Sequence, residues 1–556
     1  MKLSNDPETL KITAGLVCVG LLLFGASIND PFHFDDVLIL KDSNVTNPAQ
    51  WSHFLNPIYL RQLTFFTFYL NHLIGGASPV GFHAVNIVLH IANAVLILLL
   101  LRRFLERWTA IAAAVIFLSH PIQTESVLYV YQRSILLACF FSLLGLIALA
   151  GNRHGWAAVL FLCAFESKES AIAIPLAVAV LWNHRYRISM AAASLTLGVA
   201  ALGLLLYWEE STVGIGMMNT ITPFSYFVTQ TRVAYTYLRL LVFPYPQSLE
   251  YQFDEFQPLP QILGLSVILF GAWRMYRSAK WRVPGLAGLA FFILLAPTSS
   301  LVPSADAAFE HRLYLPMLAF AMLAGWSLAK LPRRTWILSG LVVVLAVLTV
   351  QRGRVWASDV SLWEDTVKHA PGKARVWFNL GGAYLELDPD KARGSFLRAL
   401  ELQRSFPEAL YNLGLIEQRK ANFPVAVAYY ERAIAQQDGY WPAWNNMGNA
   451  LVSMGESERA LRSYERTLNL NPDYWPAQYN LAVVHYKNGR FDAAIPRLRT
   501  VLDWRPDDKE ARRLLALALD RAGFRNEAAE ELKKIGETGI AASTQIPETI
   551  SEPSSP

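Results

Sequence analysis

The chain has 556 residues, of which 53% are hydrophobic, and its formal net charge is only +5. The apolar residues are concentrated before Gln351, which predicts a polytopic membrane domain followed by a soluble domain. Because so small a charge is spread over short loops between apolar runs, it indicates no nucleic-acid partner. Cys18, Cys139 and Cys163 all lie in or beside apolar segments, so no disulfide framework is predicted.

The first apolar segment, near residues 10–28, is long enough to cross a hydrocarbon core of roughly 30 Å. No small-residue cleavage site follows it, so we expect it to be retained as an anchor. The stretch PFHFDD comes next, at residues 31–36. The adjacent carboxylates of Asp35 and Asp36 repel each other and lose hydration beside phenylalanine rings, which suits a general base or a metal ligand. The alternative is a turn whose aspartates cap the next helix.

Ten further spans are predicted, which gives about eleven in all. They lie near residues 80–101, 108–120, 134–150, 155–166, 170–182, 188–208, 259–273, 283–297, 312–329 and 335–350. Basic residues cluster in alternate loops, at 102–107, 153–154, 185–187, 274–282 and 330–334, and the positive-inside rule makes these loops cytoplasmic. Segment 222–243 is also apolar but carries Arg232 and Arg239, and we interpret it as an interfacial or re-entrant helix.

If the N-terminus is cytoplasmic, eleven spans place the aspartate pair and everything after Gln351 on the same, non-cytoplasmic side. The other outer loops carry ionisable residues beside apolar spans. They are His120, Glu125, Arg133, Lys168, Glu169, Glu310 and Arg312. Such residues are costly at membrane depth and tend to face a cavity or one another. Each alone could be a snorkelling side chain or a structural ion pair, but their convergence on one face predicts a shared polar site.

After Gln351 the sequence becomes repetitive. A Leu or Met followed by Gly or Ala recurs at residues 380, 413, 447, 481 and 515, with spacings of 33, 34, 34 and 34. This period is typical of tetratricopeptide helix pairs, in which small residues let helices approach closely. We therefore predict a membrane domain at 1–351, a connecting helix or linker at 352–371, about five repeats at 372–535 and a disordered tail at 536–556.

An asparagine precedes the Leu or Met of four repeats: Asn379, Asn412, Asn446 and Asn480. Because the repeats stack, these amides are predicted to line one side of the solenoid. An amide offers donors and an acceptor, so such a ladder can bind the backbone of an extended acceptor peptide. The alternative is that the asparagines only pack between helices, since consensus repeats fold without ligands.

Beyond these patterns, the chain resembles the transmembrane and tetratricopeptide-repeat protein O-mannosyltransferases and their prokaryotic relatives, within the C-type glycosyltransferase superfamily. The motifs that carry this resemblance are Phe34-Asp35-Asp36, Arg61-Gln62-Leu63-Thr64, Gly81-Phe82-His83 with Asn86 and His90, His120-Pro121 with Glu125 and Arg133, Lys168-Glu169, Glu310 with Arg312-Leu313-Tyr314-Leu315-Pro316, and then the repeats. The resemblance rests on the order in which these motifs occur along nearly the whole chain, and not on any single motif. The fold implied is all-α: a polytopic, GT-C-like helical domain of about eleven spans, then an α-solenoid of about five repeats.

The resemblance implies transfer of a sugar from a polyprenyl-phosphate donor to a Ser or Thr hydroxyl of a protein on the non-cytoplasmic side. Asp35 would be the general base, and Asp36 would orient the acceptor or share a metal. The phosphate and sugar of the donor would be bound by Arg61, His120, Glu125, Arg133, Lys168, Glu169, Glu310 and Arg312, because a leaving phosphate needs cations. The sequence specifies no cofactor and leaves a divalent metal at Asp35 and Asp36 open.

The partners implied are the lipid-linked sugar donor, an acceptor protein bound through the repeats, and membrane lipid. The location implied is the bacterial inner membrane with a periplasmic repeat domain, or the endoplasmic reticulum membrane in a eukaryote. A non-enzymatic, membrane-anchored scaffold for secreted or envelope proteins is the alternative, and it explains the repeats but not the charged outer loops. A lipid-linked sugar transporter would need polar residues at mid-membrane.

Overall fold

The structure is a computed structural model that describes residues 6–55, 61–181, 222–253, 258–299 and 306–536. Across these ranges every regular element is a helix, which confirms the predicted all-α class. The chain divides into two compact units, Met1–Ala370 and Pro371–Pro556. The first unit holds the apolar helices, and the second holds the repeats.

Within the described ranges, four helices of the first unit are long and apolar enough to cross a membrane. They are Pro7–Asn29, Pro79–Leu101, Val130–Ala150 and Arg334–Val355. A bent pair, Arg107–Ser119 and Pro121–Leu128, meets at 52° and adds a fifth if it forms one broken span. The chain is therefore a multi-pass membrane protein, while the count of about eleven spans stays a prediction.

Most of the other predicted spans coincide with helices that are shorter or less apolar. These helices are His154–Ser167, Glu169–Leu181, Pro258–Tyr276, Arg282–Thr298 and Pro316–Ala329. The span predicted at 188–208 lies outside the described residues. Positions of apolar helices were thus predictable from hydrophobic runs, although their lengths were not.

Small residues bring neighbouring apolar helices into close contact. Gly325 lies against the helix Arg107–Ser119, where an added Cβ would be 2.6 Å from the carbonyl oxygen of Thr109. Gly145 faces the ring of Phe161, which an added Cβ would approach to 2.8 Å. Because lipid tails are as apolar as the side chains, close backbone approach is a main source of helix association in a bilayer.

Charged residues from the predicted cytoplasmic loops meet at one end of the helical bundle. The guanidinium of Arg102 lies 3.2 Å from the carboxylate of Asp6, near the N-terminus. Two contacts join the later loops to this end: Arg334 with Glu106 at 3.9 Å, and Lys330 with the Trp281 ring at 5.4 Å. The basic loops at 102–107, 274–282 and 330–334 therefore share an end of the bundle, in keeping with the charge pattern of the sequence.

The segment interpreted as interfacial or re-entrant forms one helix, Pro223–Val242. It is not among the helices long and apolar enough to cross. Contacts along its length reach neighbouring loops. Gln230 donates to the carbonyl of Ala307 at 2.9 Å, and Tyr237 donates to the carbonyl of Phe309 at 2.8 Å. The helix therefore lies along the loop that precedes Glu310, and its interfacial or re-entrant placement stays a prediction.

Residues 374–534 form five helix pairs, as the repeat period predicts. The pairs are Ala374–Tyr384 with Pro389–Leu402, Pro407–Arg419 with Phe423–Gln436, Trp441–Ser453 with Ser457–Leu470, Trp475–Lys487 with Phe491–Trp504, and Lys509–Arg521 with Arg525–Lys534. Gly414 and Gly448 face the rings of Tyr430 and Tyr464, which an added Cβ would approach to 2.5 and 2.6 Å. Close packing thus requires a glycine at this position of the motif in these two pairs.

Candidate active site

The aspartate loop, residues 31–42, leaves the first membrane helix and carries both predicted catalytic residues. Phe34 has a φ of 52°, a left-handed turn after which the helix Asp36–Lys41 begins. Asp35 directly precedes this helix, but its side chain makes no capping hydrogen bond. Its Oδ2 instead accepts a hydrogen bond of 2.9 Å from the hydroxyl of Tyr129. The half-buried Asp35 carboxylate is thus oriented by a hydroxyl and is not used as a cap.

Asp36 is fully buried and has a different environment. Its carboxylate accepts backbone N–H groups from His33 at 3.2 Å, Val130 at 3.2 Å and Tyr131 at 2.6 Å. Burial raises the pKa of Asp36 to about 7, although the hydrogen bonds from His33 and Tyr131 oppose this shift. Asp36 therefore fastens the aspartate loop to the segment that contains the two tyrosines.

Arg61 and Glu169 form a two-point ion pair near Asp35. The distances are 2.6 Å from Nη2 to Oε1 and 3.0 Å from Nε to Oε2. Each side chain keeps 32% of its surface exposed, so the pair remains accessible to a ligand. Tyr131 is close enough to Arg61, Glu169 and Asp35 to interact electrostatically with all three. The structure thus brings the ion pair and the aspartate loop into one neighbourhood.

Lys168 places another cation beside this pair. Its ammonium donates to Oε1 of Gln132 at 3.0 Å. Burial lowers the pKa of Lys168 to about 7, with Arg61 acting in the same direction and Glu169 in the opposite one. Arg312 is also within electrostatic range of Lys168. We call Arg61, Lys168 and Arg312 the cation cluster.

Two buried glutamates adjoin the cation cluster. Glu125 accepts the backbone N–H of Glu310 at 3.0 Å and contacts the His311 ring at 2.5 Å. Glu310 binds three donors of one loop: the amide of Gln247 and the N–H of Ser248, each at 2.8 Å, and the hydroxyl of Tyr251 at 2.5 Å. Burial raises the pKa of Glu310; Arg352 opposes that shift, and Glu125 adds to it. The two carboxylates therefore hold neighbouring loops together.

Arg312 is bound mainly by backbone. Its guanidinium donates to the carbonyl oxygens of Thr298 at 3.1 Å, Ala307 at 3.0 Å and Asp306 at 2.9 Å. A guanidinium satisfied by carbonyls keeps its full positive charge, because carbonyl oxygens carry no compensating charge. Arg312 thus orders its loop and contributes positive potential to the cluster.

Two predicted donor-binding residues lie inside the protein. Arg133 is wholly buried, and donates to the side chain of Asn86 and the carbonyl of Phe82, both at 2.9 Å. His120 is 1% exposed, and its Nε2 lies 3.1 Å from the carbonyl of Leu241. Neither residue faces open space next to Asp35, so each supports the packing of adjacent segments. Their role in donor binding stays a prediction.

The residues at Asp35 and Asp36 do not fit a shared metal ion. Oδ2 of Asp36 accepts two backbone N–H groups and Oδ1 accepts one, so this buried carboxylate is committed to the backbone and is poorly placed to share a cation with Asp35. In the part of the chain that the structure describes, no group of three or more His, Cys, Asp or Glu side chains is arranged as a metal site. We therefore derive no step through a metal.

Several residues of the site were missed by sequence reasoning. Tyr129, Tyr131 and Gln132 lie in the stretch YVYQR, directly before a predicted span, and their polar groups were the available signal. Arg352 was also missed, although an ionisable residue at the end of a span is such a signal. It pairs with Asp365 at 2.8 Å, and its Nε and Nη2 have no hydrogen-bond partner among the described residues.

The four repeat asparagines have unequal surroundings. Asn446 donates to the hydroxyl of Tyr411 at 2.9 Å, and Asn480 donates to Asn449 of the preceding repeat at 3.0 Å. Asn412 bonds only within its own helix, to the carbonyl of Glu408 at 2.9 Å. The amide nitrogen of the fourth, Asn379, is buried and has no described partner. Packing thus explains Asn446 and Asn480 better than Asn379 and Asn412, and acceptor binding stays a prediction for all four.

Comparisons with known proteins agree with both parts of this architecture. The chain matches the tetratricopeptide repeat family at residues 387–440, 452–518 and 485–538. It is 24% identical over 379 residues to protein O-mannosyl-transferase F38B6.6 of Caenorhabditis elegans, covering 63% of this chain and 54% of the relative. It is 25% identical over 467 residues to protein O-mannosyl-transferase TMTC3 of Mus musculus, and the match covers 69% of this chain and 50% of the relative.

Among solved structures, the crystal structure of MamA matches 29% of this chain and 88% of its own, with 23% identity and a TM-score of 0.28. The fold and the repeats define a multi-pass helical membrane protein with a tetratricopeptide domain. Its sequence relatives are the TMTC protein O-mannosyl-transferases, and the predicted resemblance to that family is confirmed. The chain spans about half the length of these relatives. They are animal proteins, so the expectation of a prokaryotic relative is not borne out.

Proposed function

We propose that this protein transfers a sugar from a polyprenyl-phosphate donor to a Ser or Thr hydroxyl of an acceptor protein, on the non-cytoplasmic side of the membrane. The observation that carries the proposal is the environment of Asp35. Its carboxylate is half-buried, oriented by Tyr129, and shares a neighbourhood with Arg61 and Glu169. A base beside a cluster of cations is the arrangement that nucleophilic displacement of a phosphate requires.

In the proposed step, Asp35 takes the proton of the acceptor hydroxyl while that oxygen bonds to the anomeric carbon. The bond from the anomeric carbon to the phosphate oxygen breaks, and its electron pair leaves with the lipid phosphate. The cation cluster stabilises that developing charge, with Arg61 oriented for two-point phosphate contact by Glu169. Asp36 positions Asp35 through the backbone donors that it accepts and does not touch the substrate.

The names of the relatives make mannose the first sugar to test. The repeat domain is proposed to engage the acceptor protein, as the protein-binding role of such solenoids suggests. Placement of the repeats in a periplasm or in a lumen belongs to the same proposal. The opposing hypothesis, a membrane-anchored scaffold without catalysis, requires no base at Asp35.

Asp35→Asn tests the proposal, because it keeps the shape of the side chain and removes the base. We expect transfer to fall by about 10²–10⁴-fold, as loss of a general base commonly does, with donor binding retained. Sugar transfer from a labelled polyprenyl-phosphate mannose to a Ser/Thr peptide measures the rate. Asp42→Asn in the same loop is the matched control, because asparagine caps a helix as well as aspartate does. Normal transfer by Asp35→Asn would exclude Asp35 as the base.

A further inference from the structure

His33 lies two residues before Asp35 and is completely buried. Its Nδ1 lies 2.7 Å from a carboxylate oxygen of Asp359, and its Nε2 lies 2.6 Å from the backbone carbonyl of Trp356. Both partners are acceptors, so each ring nitrogen must donate a hydrogen. The ring therefore joins the aspartate loop to the post-span segment, residues 356–363, which follows the helix Arg334–Val355.

The same two segments meet through their aromatic residues. Trp356 is 1% exposed, and the centre of its ring lies 5.8 Å from that of His33 and 5.9 Å from that of Tyr129. Phe34 lies 5.8 Å from Trp363. The hydroxyl of Tyr129 is the group that orients Asp35, so these ring contacts connect His33 and Trp356 to the Asp35 carboxylate.

The charged groups around His33 favour its doubly protonated form. The titratable side chains that face it are Asp359, Asp36, Asp30 and His83. Burial alone lowers the pKa of His33, but the hydrogen bond and charge of Asp359, the Trp356 carbonyl and Asp36 outweigh burial and leave the pKa raised. Three carboxylates thus surround a ring that needs both of its hydrogens.

We propose that His33 is a positioning residue, which sets the orientation of Asp35 by clamping the aspartate loop to Trp356 and Asp359 of the post-span segment. Its catalytic consequence rests on the proposed function, whereas the clamp itself is a physical contact that can be measured without any reaction. The post-span segment is then a wall of the active site and not only a connection to the repeats.

The clamp is tested by hydrogen–deuterium exchange of the full chain in lipid nanodiscs. His33→Gln and Asp359→Ala should each speed exchange of the amides of residues 36–41 by about tenfold or more, because the loop loses its attachment. Asp359 is half exposed, so its replacement does not empty a core site. His53→Gln, in the next stretch of the same outer region, is the control and should leave that exchange unchanged. Unchanged exchange in both clamp variants would overturn the proposal.

Kinetics separate positioning from simple folding. In an active wild type, each clamp variant should lower kcat by about 10- to 100-fold while the donor KM changes by less than about twofold, because a misplaced base affects the reaction step. The double variant should lose no more than the stronger single variant, since both residues form one contact. Faster exchange with normal kcat would overturn the positioning role. Faster exchange in a protein whose wild type transfers no sugar would confirm the clamp and refute the proposed function.

Discussion

Lys168 illustrates how burial adjusts a single side chain of the site. The residue is 8% exposed, and its ammonium donates to Gln132 and lies within electrostatic range of both other members of the cation cluster. Burial and Arg61 both disfavour its charged form, which brings the pKa to about 7. An arriving phosphate has the opposite effect, because an anion stabilises the ammonium. Under the proposed function, the positive charge of Lys168 is therefore only partly retained in the free protein and is stabilised when the phosphate of the donor binds.

This pKa predicts a specific pH dependence. Lys168 carries its charge below pH 7 and loses it above, so kcat/KM for the donor should fall as pH rises through about 7. The pH profile of kcat should not show this fall, since bound phosphate keeps the ammonium protonated. The arginine of Lys168→Arg cannot lose its charge in this range, so this variant should show no fall of kcat/KM above about pH 7. Initial rates from pH 5.5 to 8.5 measure both profiles. If kcat/KM of Lys168→Arg still fell above about pH 7, the fall would belong to another titrating group.

At the scale of single elements, the helix Pro223–Val242 determines which loops share a side. It lies along the loop that contains Ala307 and Phe309, while the Trp281 and Lys330 loops touch each other. A crossing by this helix would move both basic loops to the outer side. The ion contact between Arg334 and Glu106 argues against that arrangement, because it ties a late loop to an early one.

Cysteine labelling tests this topology. In a chain whose native cysteines are replaced by Ala, Lys280→Cys should react with a membrane-impermeant maleimide only from the cytoplasmic side, and Ser52→Cys only from the opposite side. Both positions are exposed, so access is not limited by packing. Arg153→Cys, in another basic loop, is the matched control and should behave as Lys280→Cys does. Labelling of Lys280→Cys from the outer side would mean that Pro223–Val242 crosses the membrane.

At the scale of the whole molecule, the repeat domain contains asparagines that join neighbouring repeats and an asparagine whose described hydrogen bond lies within its own helix. Asn446 and Asn480 bond to side chains of a neighbouring repeat, so they contribute to the interfaces on which solenoid stability depends. Asn412 is half-buried and bonds only to its own helix. The predicted ladder therefore contains two different kinds of position.

Single substitutions in the ladder should separate these roles. Asn446→Ala and Asn480→Ala should each lower the free energy of unfolding of residues 371–556 by about 0.5–1.5 kcal/mol, through loss of an inter-repeat hydrogen bond. Asn412→Ala should leave unfolding unchanged and raise the acceptor KM severalfold if the ladder binds acceptor backbone. Urea unfolding and transfer rates at varied acceptor concentration provide the measurements. An unaltered acceptor KM in Asn412→Ala would show that this position does not bind the acceptor.

Periodic patterns in the sequence predicted more of the structure than isolated residues did. The spacing of 33 or 34 residues predicted the helix pairs, and the glycines of the first three motifs each meet an aromatic ring such as Tyr430. Charge alone could not distinguish Arg61, which keeps an exposed face, from Arg133, which is enclosed by Asn86 and Phe82. That difference depends on contacts between distant segments, which no local pattern encodes.

The clamp at His33 also has a consequence for biosynthesis. The partners of this histidine come 323 and 326 residues later in the chain. At a synthesis rate of about 5–20 residues per second, the aspartate loop waits about 15–65 s after it is made before Trp356 and Asp359 exist. During that interval the loop lacks both acceptors of its buried ring, and the nascent membrane helices must accommodate it unanchored. Completion of the site is thus one of the last events in the assembly of the membrane unit.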